Sequence, residues 1–426
     1  MHPRRERLLS WLVMTEPPAR RPLPPQGIPW PDLQTEMDAY ARGDVRWREG
    51  KTAVYVFNAG PEVERVQKEA YVRFMSENGL GPAAFPSLKR MEDEVVGFAL
   101  DLLHAPAEAA GTITSGGTDS IAMAVKAARD FARKAKGLAG PLNLVLPRSA
   151  HPAFDKACAM MEIELRRVPV KDFLADAAAM ADACDARTVM LAGSAPCFPY
   201  GLIDPIEALS ELALARGLWL HVDACVGGFL APFVRMNGAA LAPFDFALPG
   251  VSSMSADLHK YGYAAKGAST VLYRSAELQK HMVFDFRDWP GGRMVTPTLA
   301  GTRPGGAISA AWAVMNVLGV AGYREKQAAV VRAREAVEAG VQALGFRVIG
   351  RPQLGLIAFT RDDVDPLAIW TKLRERGWFT SVTTEPRGLH LMLSPAHEAV
   401  TGTYLTDLAW ALGEAAAAKP ADARYA

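Results

Sequence analysis

Cysteine is scarce in this chain: Cys158, Cys184, Cys197 and Cys225 are the four in 426 residues, far apart and without CxxC or Cys/His spacing. Such usage excludes a disulfide framework and a zinc knuckle, and a reducing cytoplasm is the expected compartment. An excess of one charge is also missing. Forty-seven basic and 46 acidic residues leave a formal net charge of +1, so no electrostatic pull toward nucleic acid or anionic lipid is expected. The chain has no internal repeat and no acidic or basic tail. Leu8 to Met14, preceded by Arg4, Arg5 and Arg7, superficially resembles a signal peptide. It is far too short to span a bilayer, and Thr15-Glu16-Pro17-Pro18 stands where a small-residue cleavage site is needed. Neither export nor a membrane span is expected, and Met14 is an alternative start.

What is present is ordinary soluble-protein composition, 50% hydrophobic and 22% charged. The length supports one large domain and a smaller one. Seven prolines between Pro17 and Pro31 predict an extended arm, placed in an N-terminal segment of residues 1–50. From about 51 to 318, apolar runs alternate with helical stretches. Residues 142–146, 188–192, 218–222, 251–255 and 269–273 read as strands; 119–136, 172–183 and 206–216 read as helices. This alternation predicts an α/β fold with a large, mostly parallel sheet covered on both faces. Residues 319–426 read as a small α+β domain, opening with a helix over 323–344 and continuing with short strands at 346–349, 356–360 and 390–393.

Open α/β sheets bind ligands at the carboxyl ends of their strands, so the polar residues closing each run matter. Thr114-Ser115-Gly116-Gly117-Thr118 leads into a helix, and glycine turns at helix N-termini cradle anions; a plain tight turn capped by Thr118 or Asp119 is the competing reading. The pattern is neither GxGxxG nor GxxxxGK[ST], which argues against a dinucleotide fold or a P-loop. Asp223 closes the strand at 218–222 and is placed to pair with a buried cation, or simply to cap a loop. Lys260, in Ser255-Ala256-Asp257-Leu258-His259-Lys260-Tyr261-Gly262, lies between two apolar strands. Burial there is expected to strip its proton and leave the neutral amine that forms a Schiff base. His151, in Ser149-Ala150-His151-Pro152, could stack on an aromatic cofactor or face solvent.

In order and spacing, Thr-Ser-Gly-Gly-Thr-Asp-Ser at 114–120, Ser-Ala-His at 149–151, Gly-Ser-Ala-Pro at 193–196, His-Val-Asp-Ala-Cys-Val-Gly-Gly-Phe at 221–229 and Ser-Ala-Asp-Leu-His-Lys-Tyr-Gly-Tyr at 255–263 form a series. This series resembles the fold-type-I pyridoxal-phosphate enzymes, within them the sphingosine-1-phosphate lyase branch of the group II decarboxylase superfamily. Ala-Gly-Thr-Arg-Pro-Gly-Gly at 300–306 is similar to that branch's Ala-Gly-Ser-Arg-Pro-Gly-Gly. The resemblance implies pyridoxal 5′-phosphate as cofactor, Lys260 as its Schiff-base lysine, Asp223 as partner of the ring nitrogen and His151 as the stacking residue. Gly117, Thr118, Ser194 and His259 become cofactor-binding candidates. Gly301 and Thr302 become candidates for a neighbouring subunit's cofactor phosphate, so a homodimer with shared sites is implied.

The same resemblance implies an amine substrate and cleavage of the Cα–Cβ bond of a 3-hydroxy amine phosphate; amino-acid decarboxylation is the alternative, and a non-catalytic pyridoxal-binding protein a third reading. Tyr55 and Lys266 match two residues that grip the substrate phosphate in the lyases. The third, a histidine of Asn-Pro-Leu-His, is replaced by Gly81 in Asn78-Gly79-Leu80-Gly81.

Overall fold

The computed structural model describes residues 20–415. The Leu8–Met14 run and the first prolines of the predicted arm lie outside them. Two compact units are present, one ending at Val45 and one beginning at Arg46. In the first, residues 20–29 hold no regular element and Trp30–Ala41 is a helix with Pro31 in its first turn. Proline there gives up only an N–H that no helix partner needs, so Pro31 starts a helix rather than ending an arm.

The second unit is built on seven strands: β1 (Ala110–Thr114), β2 (Asn143–Pro147), β3 (Glu164–Val168), β4 (Thr188–Ser194), β5 (Trp219–Asp223), β6 (Val251–Ala256) and β7 (Ser269–Tyr273), in the order β1-β7-β6-β5-β4-β2-β3. Neighbours from β6 to β3 pair in parallel, while β7 runs antiparallel to both β6 and β1. Six strands therefore share one direction, and β1, β2, β4, β5 and β6 all end at the same edge of the sheet.

Strand residues alternate between two cores, as pleating requires. Val145, Leu191, Leu220 and Val222 belong to one, and Leu144, Leu146, Met190, Ala192 and Trp219 to the other. Both faces are thus buried, which is why β2, β4 and β5 read as unbroken apolar runs. Of the predicted helices, 119–136 and 206–216 are realised as Gly117–Ala135 and Ile206–Arg216. The one expected from 172 begins only at Ala177. Asp172 and Phe173 adopt left-handed backbone, and the Asp176 carboxylate accepts the N–H groups of Ala178 and Ala179, starting the helix there.

After β7, an exposed hairpin pairs β8 (Phe284–Phe286) with β9 (Met294–Thr296). The helix expected over 323–344 starts eighteen residues earlier, as Gly305–Ala343, with one break at Gly319 (φ 52°, ψ −173°). By length and composition it contains a stretch apolar enough to cross a membrane, but half of that stretch is buried within the protein. A four-stranded antiparallel sheet follows: β10 (Arg347–Val348), β11 (Leu356–Thr360), β12 (Ser381–Thr384) and β13 (Arg387–Met392), ordered β10-β11-β13-β12. It has its own core around Phe346, Phe359, Trp378 and Leu408. The long helix serves both regions. Ile308 and Val314 pack into the large-sheet core, Val337 and Val341 into the small one.

Candidate active site

The loops that follow β1, β2, β4, β5 and β6 at their shared edge contribute to one cavity of about 390 Å³. From β1 come Ser115 to Asp119, from β2 His151, from β4 Ser194 and Phe198, from β5 Asp223 and Cys225, and from β6 Asp257, His259 and Lys260. The predicted residues Gly117, Thr118, His151, Ser194, Asp223, His259 and Lys260 are therefore brought together. Phe198, Cys225 and Asp257 join them without having been expected.

At one end lies the start of helix Gly117–Ala135. Its N-cap is Gly116, which has no side chain to offer, so the competing reading of a Thr118 or Asp119 cap does not hold. Instead, Asp119 accepts hydrogen bonds from the Ser115 N–H and hydroxyl, both at 3.0 Å. The first-turn N–H groups are left for an anion. Gly117 is needed for closeness: a Cβ there would stand 2.8 Å from Cys225 Sγ and 3.0 Å from both Asp257 oxygens. His259 lies against the same turn, its ring 3.6 Å from where a Gly116 Cβ would be.

At the other end, Asp223 accepts from the Cys225 N–H (3.1 Å) and the Ser255 hydroxyl (3.3 Å). Ser194 sits beside it in register on β4. Behind Ser194, buried Asp204 accepts the N–H groups of Ser194 (2.8 Å) and Ala175 (2.9 Å). Burial pushes its carboxyl up to about 6. After β5, Gly227 lets the loop that follows β4 approach, since a Cβ would lie 2.0 Å from the Ala195 carbonyl oxygen. His151 Nδ1 accepts the Ala153 N–H at 3.1 Å, which puts its proton on Nε2. Burial holds this imidazole below its usual value, against the pull of Asp223. It stays neutral at pH 7.

Lys260 departs from the sequence-based expectation. Burial alone pulls its ammonium down, but the charges of Asp257 and Asp223 outweigh that and hold it above the ordinary lysine value. Asp257 Oδ2 lies 3.0 Å from Nζ. The Lys260 side chain keeps 22% of its surface exposed, and the opposite charge at contact distance outweighs the partial desolvation of its ammonium. Beside Asp257 the free side chain is held toward the ammonium, not toward the neutral amine that burial alone predicts. Asp257 was missed because a carboxylate three residues before a lysine, outside a helix, carries no spacing rule. The turn from Asp257 to Lys260, closed by the Lys260 N–H on the Asp257 carbonyl, brings them together.

The other predicted residues lie outside this cavity. Tyr55 and Lys266 meet: Lys266 Nζ donates to the Tyr55 carbonyl at 2.7 Å and to the His259 carbonyl at 3.4 Å. Its ammonium stands 5.3 Å over the Phe57 ring, and burial followed by the charge of Lys260 lowers it to about 8. Tyr55 has left-handed backbone (φ 63°), costly for a side chain of this size. Gly301 lines a separate cleft of about 300 Å³ with Met123 and Met294, so it and its neighbour Thr302 take no part in their own chain's cavity.

A phosphorylated heteroaromatic aldehyde suits this cavity. Three buried polar atoms in its wall, Asp119 Oδ1, Asp257 Oδ1 and His259 Nδ1, have no hydrogen-bond partner among the described residues. A glycine cup for an anion, a carboxylate for a ring cation and a primary amine face one space.

Comparison with known proteins agrees. Residues 47–361 match the pyridoxal-dependent decarboxylase conserved domain, and the chain belongs to that family of pyridoxal-phosphate enzymes. It is 39% identical over 413 residues to a sphingosine-1-phosphate lyase of Oryza sativa subsp. japonica, covering 95% of this chain and 76% of that one. With the sphingosine-1-phosphate lyase of Arabidopsis thaliana it shares 40% identity over 91% of this chain and 72% of that one. The solved sphingosine-1-phosphate lyase of Burkholderia pseudomallei K96243 superposes with a TM-score of 0.89 at 36% identity, covering 93% of both chains.

Proposed function

We infer that the protein is a carbon–carbon lyase that cleaves Cα–Cβ of a sphingosine-1-phosphate-like 3-hydroxy amine phosphate, giving an aldehyde and phosphoethanolamine. The observation that carries this is the pairing of likeness to lyases over nearly the whole chain with a cation, Lys266, set beside the lysine-bearing loop. Its ammonium touches two backbone carbonyls and no carboxylate among the described residues, so its charge is available to a substrate phosphate.

When bound, pyridoxal 5′-phosphate supplies an aldehyde for amines and a ring that stores the electron pair of the broken bond. Lys260 would carry it. Asp223 would hold a proton on the ring nitrogen, and neutral His151 would lie against the ring's flat face. The open N–H groups at Gly117 and Thr118, with His259, would hold the phosphate, and Ser194 would border the ring. Tyr55 and Lys266 would orient the substrate by its anionic end. Phe198 and His151, which also line a second cavity of about 490 Å³ on the other side, would limit water at the reacting carbon.

Gly301 and Thr302, outside their own cavity, are proposed to reach the cofactor phosphate of a second copy in a homodimer. The exposed apolar residues Phe284, Trp289 and Leu299 nearby support such a partner. Four unpaired cysteines support a reducing, cytoplasmic location. Incubating purified holoenzyme with sphingosine-1-phosphate tests the reading: phosphoethanolamine and a long-chain aldehyde are expected in equal amounts. Carbon dioxide release from amino acids, with no phosphoethanolamine, would overturn it in favour of decarboxylation.

A further inference from the structure

Three carboxylates line the cavity; Asp119 is engaged by the Ser115 N–H and hydroxyl, and a ring nitrogen needs only one of the other two. Asp223 ends β5, whereas Asp257 ends β6 at the opposite, phosphate-cup side, where both its oxygens lie 3.0 Å from where a Gly117 Cβ would stand. Asp257 is almost fully buried, at 2% exposure. A buried carboxylate is costly unless paired, and next to a cup built for an anion it is repelled as well. Its one close cation is Lys260 Nζ, 3.0 Å from Oδ2; His259 Nε2 is farther, at 3.7 Å.

We propose that Asp257 is the positioning residue for Lys260: its carboxylate receives the Lys260 ammonium whenever Nζ is not bonded to the cofactor, and so sets both where the amine waits and when it is free to react. This rests on Lys260 being the cofactor lysine. Condensation of an ammonium with an aldehyde forms one C–N bond, releases one water and leaves one positive charge on nitrogen. Attack itself needs a lone pair, so one proton leaves Nζ before the bond forms and is returned when water departs. Asp257 is the group in contact with Nζ that can take that proton and give it back.

The other groups around Nζ do not duplicate this. Asp223 adds to the field on Nζ but hydrogen-bonds to Cys225 and Ser255. Burial and the neighbouring carboxylates keep the Cys225 thiol protonated. His151 and His259 are held below their usual values, chiefly by burial, and Lys266 repels the ammonium rather than holding it.

The test is the pH dependence of cofactor capture by cofactor-free protein, with the linkage fixed by borohydride and located by peptide mass. Wild type and D257N are compared, with D257E as the charge-retaining control. Capture at Lys260 is expected in all three, with the pH midpoint about two units lower in D257N and within half a unit of wild type in D257E. An unchanged midpoint in D257N overturns the role of Asp257 and leaves the proposed function intact. Capture elsewhere in wild type overturns both. Should D257N not fold, reductive methylation of Lys260 in cofactor-free wild type decides: a midpoint above the ordinary lysine value of about 10.4 supports the pairing, and one at or below it refutes it.

Discussion

Arg303 and Glu92 form an ion pair inside the protein, each side chain only 7% exposed. The pair is a junction. Glu92, on the helix Pro86–Leu102, also accepts the Ile113 N–H of β1 at 2.9 Å. Arg303 donates to the carbonyls of Ile113 (3.0 Å) and Gly79 (2.9 Å). The segment carrying Gly301 and Thr302 is thereby fastened to the sheet edge and to the Asn78–Gly81 loop.

Removing the arginine leaves a buried carboxylate without a cation. R303A is expected to lose about 3–5 kcal/mol of unfolding free energy, measured by urea denaturation. Replacing both partners, as R303M/E92Q, is expected to recover part of it. A loss below about 1 kcal/mol in R303A would show that the pair is not what holds the segment.

Lys266 gives a pH signature. Held to about 8 by burial and then by Lys260, it is charged below that pH and loses its charge as pH rises through it. For a phosphorylated substrate, kcat/KM is expected to fall above about pH 8, through KM rather than kcat. In K266R, always charged, that limb is expected to vanish. A limb that survives in K266R belongs to another group.

Gly81 has ordinary backbone and room around it: a Cβ there would meet nothing closer than the Ala84 Cβ at 3.7 Å. G81H restores the histidine that the resemblance expects, and activity on phosphorylated substrates is expected to rise several-fold. An equal rise on an unphosphorylated amine, or a loss on both, would contradict a phosphate role for this position.

Asp204 links stability to the site. Its folded-state value near 6 exceeds that of a free carboxyl, so the folded protein resists its ionisation more than the unfolded chain does. The resulting penalty grows as pH rises from about 4 to 6 and is constant above, on the order of 3 kcal/mol. The stability difference between wild type and D204N is expected to change over that window and to be flat from pH 7 to 8. Independently, D204A leaves the Ser194 and Ala175 N–H groups without an acceptor and is expected to cost about 2 kcal/mol. A pH-independent difference would remove Asp204 from the account.

Much of the site was legible because strands buried on both faces read as plain apolar runs, and the polar residues after them mark one sheet edge. Strands β4 to β7 and the clustering of His151, Asp223 and Lys260 followed from that. β3 did not: Glu164-Leu165-Arg166-Arg167-Val168 is an edge strand, and its charges, which guard an edge, hide the period. The helix Pro61–Arg73 buries only Val63, too little for a pattern. Asp257 stood inside the quoted lysine motif yet was passed over, because its partner is set by a turn and not by periodicity. The protonation of Lys260 was misjudged for the same reason: burial is visible in sequence, and the carboxylate opposite is not.

The central claim, that Lys260 binds the cofactor, has one direct measurement. Holoenzyme reduced with borohydride and digested should yield a single pyridoxyl-modified peptide, carrying its mass at residue 260, and K260A should yield none. Modification at another lysine, or undiminished covalent capture by K260A, would contradict it.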